Sequence, residues 1–300
     1  MANSIALAKI YVDVLDEVYK ETSKTAIFNN ESLTIPGSNA NEVQIPKMTI
    51  QGLGDYSKST GYADGDITLS WETFKLTQDR ARSLFVDRID NQESMNVLMQ
   101  NKASEFMRTA VVPEIDAYRI AKMASKAGLV VSAGATLSKS TVISAFDDAI
   151  QAMDDAEVPG ENRVALVTPE IYKYLSQADG YVRNLNGETG TTIGINPEEY
   201  KGITLIKVPQ TRMYTAITMY DGKTAGQEAG GYVKAGTAKD INFLIVQKDA
   251  VFGTVKYAGA KYISADENQD KDGDSFKYRI YHDLFVPDNK TNGIYLHMKA

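Results

Sequence analysis

The sequence contains no cysteine. This absence excludes disulfide bonds, thiolate zinc sites and a cysteine nucleophile together. Long apolar runs are absent too, and none approaches the roughly 18–20 residues that span a bilayer. Near the amino terminus, Asp13, Asp16 and Glu17 interrupt the stretch that a signal peptide would keep apolar. We therefore expect no membrane partner and synthesis in the cytoplasm of the producing cell.

Basic charge is also scarce. The chain carries 32 Lys and Arg against 39 Asp and Glu, a formal net charge of −7. Because contacts with phosphates need clustered Lys and Arg, this balance argues against a surface that binds duplex DNA. The hydrophobic share of 43% and the charged share of 24% are near globular averages, so a packed core is expected.

Motifs for binding phosphate or calcium are incomplete. Gly222-Lys223-Thr224 resembles the end of a phosphate-binding loop, but Ile217 stands where that loop requires glycine. Residues 268–273 match the first half of a calcium loop, yet the position of its bidentate acid is occupied by Arg279. We interpret both segments as polar turns, and whether the acidic turn at 266–274 binds a cation stays open.

Histidine occurs only at His282 and His297. His282 is followed by Asp283, and neighbours along a strand point to opposite faces, so the two do not form a catalytic pair directly. No nucleophile-elbow sequence accompanies them. The sequence therefore predicts no catalytic, cofactor-binding or metal-binding residues, and no enzyme.

Helical and strand patterns alternate without a regular period, which predicts an α+β fold. Apolar residues at steps of three and four predict helices over about 95–128, 142–153 and 170–175. Pro113 either kinks the first of these or starts a second helix. Strands are predicted over 163–167, 203–208, 243–246, 251–257, 276–281 and 293–297.

A long hairpin is predicted before the first helix. Apolar residues alternate with polar ones over 67–71, and the apolar phase then shifts to Phe74 and Leu76. A one-residue slip moves side chains to the other face, so the shift predicts a bulge near Glu72-Thr73.

The segment at 51–65, between the two strands of this hairpin, holds four glycines around Leu53, Tyr56 and Tyr62. A segment with so little core potential is costly as a free loop. We therefore expect a partner surface to receive it.

Three groups of residues, in order along the chain, carry a family resemblance. The first comprises Ile45-Pro46-Lys47, Gly52-Leu53-Gly54-Asp55-Tyr56, Ser70-Trp71-Glu72 and Leu76-Thr77-Gln78-Asp79-Arg80. The second comprises Phe85-Val86-Asp87, Asp90 and Val112-Pro113-Glu114-Ile115-Asp116-Ala117-Tyr118-Arg119. The third comprises Asn268-Gln269-Asp270, Tyr278-Arg279-Ile280-Tyr281-His282-Asp283 and Phe285-Val286. Together they resemble the major capsid proteins of tailed, siphophage-type bacteriophages, which have the Hong Kong 97-like fold.

The resemblance implies a division into five segments. They are an N-terminal arm at 1–40, an extended β-hairpin loop at 41–78, a peripheral domain with a long spine helix at 79–128, an axial domain at 129–239, and C-terminal strands of the peripheral domain at 240–300.

By the same resemblance, the chain is expected to be a structural coat protein of an icosahedral phage head. Copies of it would form pentamers and hexamers around double-stranded DNA, which they would meet only by non-specific proximity. The expected contacts between subunits are Leu53, Tyr56, Tyr62 and Trp71. The expected location is the virion, with a portal protein as a further partner. Because the sequence starts at the arm, without the long charged extension of some relatives, we also expect a separate scaffolding protein.

Three alternatives stay open. An encapsulin-like nanocompartment shell has the same fold and would carry enzyme cargo. A soluble enzyme would need a convergent pocket of acid, base and nucleophile, which the sequence does not show. A tail or surface-binding module would be expected to show repeats or an all-β pattern.

Overall fold

The helical and strand patterns of the sequence form an α+β fold. A computed structural model describes the protein over residues 23–29, 35–36, 42–59, 61–62, 64–89, 104–131, 134–177 and 199–300. Most of the predicted arm and the first part of the predicted helix over 95–128 lie outside these residues.

Strands make up most of the regular structure. In chain order they are β1 (Ile35–Pro36), β2 (Glu42–Ile50), β3 (Ile67–Lys75), β4 (Gln78–Asp87), β5 (Leu129–Val131), β6 (Arg163–Val167), β7 (Glu199–Tyr200), β8 (Ile203–Lys207), β9 (Ile217–Met219), β10 (Tyr232–Lys234), β11 (Ile241–Gln247), β12 (Phe252–Ile263), β13 (Gly273–Phe285) and β14 (Ile294–Met298). Over the described ranges they pair in the orders β1-β2-β3, β10-β9, β5-β14-β11-β6-β8-β7 and β12-β13-β4.

The sheet β5-β14-β11-β6-β8-β7 carries core on both faces. Every residue of its central strands β6 and β11 is buried. Leu166 and Leu244 belong to one hydrophobic cluster, whereas Ala165 and Ile245 belong to the other. A strand covered on both faces needs apolar residues at successive positions, which is why these two segments are continuous apolar runs.

This sheet takes strands from both sides of residue 239. Strands β5 to β8 come from the segment 129–239, while β11 and β14 come from 240–300. The segment boundary predicted at residue 239 therefore lies between strands of one and the same sheet.

The helices are α1 (Val112–Lys126), α2 (Val142–Asp155) and α3 (Pro169–Gln177). A π-helical segment, Met107–Val111, leads directly into α1. Pro113 lies in the first turn of α1, directly after the π-helical segment, and helical backbone continues past it. Its missing N–H therefore leaves one carbonyl group of the preceding turn without an intrahelical donor. Among the described helices, none is long and apolar enough to span a membrane.

The sheet β12-β13-β4 lies between two apolar layers. On one face, Ile115 of α1 packs in a cluster with Phe276 and Ile280 of β13. On the other face, Phe252 and Phe285 pack with residues at the base of the β2–β3 hairpin. The hairpin is therefore joined to the body of the subunit at its base.

The hairpin itself is regular. Strands β2 and β3 pair without a register shift over their whole length, from Glu42 with Lys75 to Ile50 with Ile67. The bulge predicted near Glu72-Thr73 is therefore wrong.

The apolar phase shifts because the apolar residues lie on one face of the hairpin at its base and on the opposite face toward its tip. At the base, Val43 is buried, and its cross-strand partner Phe74 has its ring centroid 5.0 Å from that of Phe285. Toward the tip, Met48 pairs with Leu69, and each lies an odd number of positions from Val43 or Phe74 along its own strand. The side chains of this second pair therefore lie on the other face of the hairpin. A change of packing partner produces the same sequence pattern as a bulge would.

This geometry predicts that two aromatic residues of β3 contribute very differently to the stability of the isolated subunit. Phe74→Ala removes a ring that packs on the subunit body, so it should lower the free energy of unfolding of the isolated subunit by about 2 kcal/mol. Trp71→Ala removes a ring from the exposed face and should change it by less than about 0.5 kcal/mol. Urea unfolding of both variants measures the difference, and equal losses would contradict the assignment of faces.

Candidate assembly surface

One face of the hairpin is apolar and solvent-exposed. We call it the outer hairpin face, and it consists of the cross-strand pairs Pro46 with Trp71, Met48 with Leu69, and Ile50 with Ile67. Apart from Pro46, each of these side chains is between 52% and 64% exposed. Contiguous exposed apolar patches of this kind mark interaction sites.

The opposite face of the same strands is polar. It carries Lys47 opposite Ser70 and Thr49 opposite Thr68. The hydroxyl of Ser70 donates to the carbonyl oxygen of Lys47 at 3.3 Å. The hairpin is therefore two-sided beyond its base, although no described part of the chain covers its apolar side.

The tip of the hairpin is closed by local bonds. Ser57 and Gly61 exchange backbone hydrogen bonds of 3.1 and 2.7 Å, and Gly61 has a φ of +80°, which glycine adopts without strain. The rings of Tyr56 and Tyr62 lie 5.0 Å apart. Leu53 is fully exposed. The tip thus presents two paired aromatic rings and one free leucine to solvent.

The four predicted contact residues all lie on this hairpin and are all exposed. Trp71 belongs to the outer hairpin face, and Leu53, Tyr56 and Tyr62 belong to the tip. Sequence reasoning missed Met48, Ile50, Ile67 and Leu69 as contact candidates. The alternation of apolar and polar residues along the strands contained the signal for these four residues. The shift in that alternation was instead explained by a bulge.

A buried carboxylate fixes the point where the hairpin joins β4. Asp283 is fully buried, and its Oδ2 accepts hydrogen bonds from the backbone N–H and the hydroxyl of Thr77, both at 2.9 Å. Its Oδ1 accepts from the hydroxyl of Tyr118 at 2.8 Å. Burial, together with the charge of Asp283, raises the pKa of Tyr118. Tyr118 therefore stays a neutral hydrogen-bond donor at physiological pH.

His282 and Asp283 have different roles, since His282 is a packing residue and Asp283 is a hydrogen-bond acceptor. The Nδ1 atom of buried His282 has no hydrogen-bond partner among the described residues, while Asp283 binds Thr77 and Tyr118. Burial, followed by the charges of Arg119 and Arg80, lowers the pKa of His282 from 6.5 to about 3. The imidazole is neutral and serves packing, with its ring centroid 5.7 Å from that of Tyr118.

The two incomplete motifs are internally bonded turns. The backbone N–H groups of Lys223 and Thr224 donate to the carboxylate of Asp221 at 2.8 and 2.9 Å. The hydroxyl of Thr224, followed by these amides, lowers the pKa of Asp221 to about 2. Amides that already bind a carboxylate are not free to cradle a phosphate.

The acidic turn at 266–274 is already paired with a basic side chain from outside the turn. The guanidinium of Arg88 binds Asp266 and lies 3.1 Å from an oxygen of Asp272. Among the residues that the structure describes, no cluster of three His, Cys, Asp or Glu side chains is placed to hold a metal ion.

Solved structures with this architecture include a phage capsid and a virus-like particle. A Mycobacterium phage Che8 structure matches with a TM-score of 0.63 at 17% identity, over 92% of this chain and 90% of that chain. The capsid structure of cyanophage P-SCSP1u matches with a TM-score of 0.56 at 17% identity, over 88% and 85%. The chain has the Hong Kong 97-like capsid fold.

The same capsid fold extends to a virus-like particle from Pyrococcus furiosus. That structure matches with a TM-score of 0.55 at 10% identity, over 95% of this chain and 96% of that chain. No family model matches the sequence, and no curated protein matches it. The likeness is therefore one of three-dimensional structure, and it confirms the α+β fold class expected from the sequence.

The low pKa of His282 predicts a specific pH dependence of stability. The unfolded chain binds a proton at His282 near pH 6.5, whereas the folded subunit does so only near pH 3. Stability is therefore lost as the pH falls from 6.5 toward 3, by about 2 kcal/mol between pH 7 and pH 5.

A His282→Gln variant should lose that part of the pH dependence and keep the part due to other groups. Urea unfolding of wild type and variant at pH 7 and pH 5 gives the difference. The same fall in stability for both proteins would show that His282 does not contribute.

Proposed function

We propose that this chain is the major capsid subunit of a tailed phage and that its outer hairpin face and hairpin tip bind neighbouring copies. The observation that carries the proposal is the regular hairpin whose apolar side is covered by no described residue, on a chain with a capsid fold. A two-stranded ribbon with an exposed apolar face is at best marginally stable in water. A neighbouring copy would supply the missing packing layer.

The energetics favour a shell held by many weak contacts. A side chain such as Leu69 or Ile50 contributes about 1.5–3 kcal/mol when it goes from exposed to fully buried. Association costs several kcal/mol in lost translational and rotational freedom. One hairpin contact is therefore weak, and stability comes from repetition around a closed lattice, in which each subunit presents unlike surfaces to its neighbours.

The proposal includes the assembly that the sequence resemblance implies. Copies form pentamers and hexamers of an icosahedral head around double-stranded DNA, and the finished location is the virion. A portal protein and a separate scaffolding protein are the further partners, and the subunit acts structurally rather than as an enzyme. The proposed segments stay those of the sequence: arm 1–40, hairpin loop 41–78, peripheral domain 79–128 with 240–300, and axial domain 129–239.

A nanocompartment shell is the second candidate. The likeness to the Pyrococcus furiosus virus-like particle over almost the whole of both chains favours keeping it. The two candidates differ in content, since a nanocompartment encloses protein cargo and a phage head encloses DNA.

Electron microscopy of the protein expressed alone, with size-exclusion chromatography, tests the assignment. Closed polyhedra, tubes, or rings of five or six subunits are expected for a shell protein. Uniform particles filled with protein would favour the nanocompartment. A monomer that does not assemble even with the scaffolding protein from the same source would overturn the proposal.

A matched pair of variants tests the role of the outer hairpin face. Leu69→Asp places a charge on that face, and Thr68→Asp places the same charge on the polar face one residue away. Both side chains are exposed, so both variants should fold with circular dichroism spectra like wild type. Leu69→Asp should reduce the yield of closed particles about tenfold or more, because it desolvates a charge at the contact. Particles from Leu69→Asp at wild-type yield would show that this face is not a contact.

A further inference from the structure

Several parts of the chain meet in the first two turns of helix α1. Residues 114–119 of α1, which we call the turn, bind a part of the arm (residues 23–29, the arm root), the junction of hairpin and β4 (residues 76–78, the hairpin root) and the segment around Arg212. We propose that this turn couples the arm root to the hairpin root, so that fixing either one restrains the other.

Asp116 holds the arm root. Its carboxylate is fully buried and accepts hydrogen bonds from the hydroxyls of Ser23 and Thr25 at 2.8 and 2.7 Å. It also accepts from the backbone N–H groups of Lys24 and Thr25 at 3.0 and 3.2 Å. A fifth bond comes from Nη1 of Arg212 at 3.0 Å. Three consecutive residues of the arm root thus bind one carboxylate.

Arg119 makes the turn dependent on the arm root. Its side chain is fully buried, and its Nη1 donates to the carbonyl oxygen of Thr25 at 3.3 Å. Its Nε and Nη2 atoms have no partner within the described ranges. A buried guanidinium with so few bonds is costly, so the position of the turn is sensitive to the bond that Thr25 provides.

Tyr118, between these residues in sequence, reaches the hairpin root. Its hydroxyl donates to Asp283, which accepts both bonds from Thr77. Leu76, next to Thr77, is buried, and its carbonyl oxygen accepts a 3.0 Å hydrogen bond from the hydroxyl of Tyr281. Two residues earlier than Asp116 along the helix, Glu114 binds Arg80 of β4 through Nε at 2.6 Å. Residues 114–119 of α1 therefore connect both roots.

The turn is placed where a helix can adjust. It lies directly after the π-helical segment Met107–Val111, and such segments interrupt the regular α-helical pitch. Pro113, which donates no backbone bond, separates the two. A small rotation of the turn would move Asp116, Tyr118 and Arg119 together, because a helical turn is rigid.

The coupling has a consequence for assembly that rests on the proposed function. If the arm and the hairpin both reach neighbouring copies, a contact made by one would pre-organise the other and lower the entropy cost of the next contact. Shell growth would then be more cooperative than independent contacts allow.

Amide hydrogen exchange in the unassembled subunit tests the coupling without requiring a shell. Thr25→Val removes the hydroxyl bond to Asp116 with almost no change of shape. It should speed exchange at Lys24 and Thr25, and also at Thr77, whose N–H binds Asp283, by about fivefold or more. Thr77→Val should produce the reciprocal increase at Lys24 and Thr25.

Thr254→Val is the matched control. Its buried hydroxyl has no partner among the described residues, so the same chemical change breaks no described bond and should leave all three amides unchanged. Faster exchange at residue 25 alone would overturn the coupling. An equal rise in the core strands β6 and β11 would also overturn it, because it would indicate a global loss of stability. Assembly defects without this exchange pattern would overturn the coupling and leave the proposed function standing.

Discussion

Beyond the short pairing of β1 with β2, the β2–β3 hairpin is a two-stranded ribbon with two faces and no interior, and this constraint decides where its apolar residues lie. At its base, the β2–β3 hairpin uses one face, through Val43 and Phe74, to pack on the subunit body. Toward its tip it turns its apolar residues to the other face, where no described residue covers them. The same regular pairing thus serves folding at one end and leaves an exposed apolar face at the other.

Such a projection is useful only if its base is fixed. The base is fixed by apolar packing around Phe74 and by the buried carboxylate of Asp283, which accepts two hydrogen bonds from Thr77. Hydrogen bonds to a charged group are stronger than those between neutral groups, and a buried carboxylate without them is costly. The cost of an unsatisfied Asp283 therefore holds the hairpin root in one position.

Local patterns in the sequence predicted the elements that depend on local physics. The runs at 163–167 and 243–246 are buried on both faces, and the apolar stripe at 142–153 lies in α2. The bulge was predicted wrongly because periodicity reports which face is apolar but not what covers it. A bulge, which shifts the pairing of two strands, and a change in what covers the strands produce the same pattern of apolar residues.

The polar anchors were not predictable from local patterns. Asp116 and Asp283 look like ordinary surface acids in the sequence, since an isolated aspartate is usually exposed. Their partners in the arm root and the hairpin root are 91 to 93 and 206 positions away. Only the fold brings Ser23, Lys24 and Thr25 to one carboxylate and Thr77 to the other. The family resemblance included both acids within its motifs but gave no role to either.

Under the proposed function, the exposed apolar face also needs protection before a neighbouring copy binds it. Free ribbons with apolar faces and unpaired edges tend to aggregate. Here the opposite face is polar, and the tip carries the exposed acids Asp55, Asp64 and Asp66. The whole chain has a net charge of −7, which favours repulsion between free subunits. Repulsion of this kind is spread over the surface and is screened by salt, whereas apolar contact is short-ranged. Under the proposed function, free subunits repel one another until a neighbour meets the hairpin in the correct orientation, because only then does buried apolar area outweigh the repulsion.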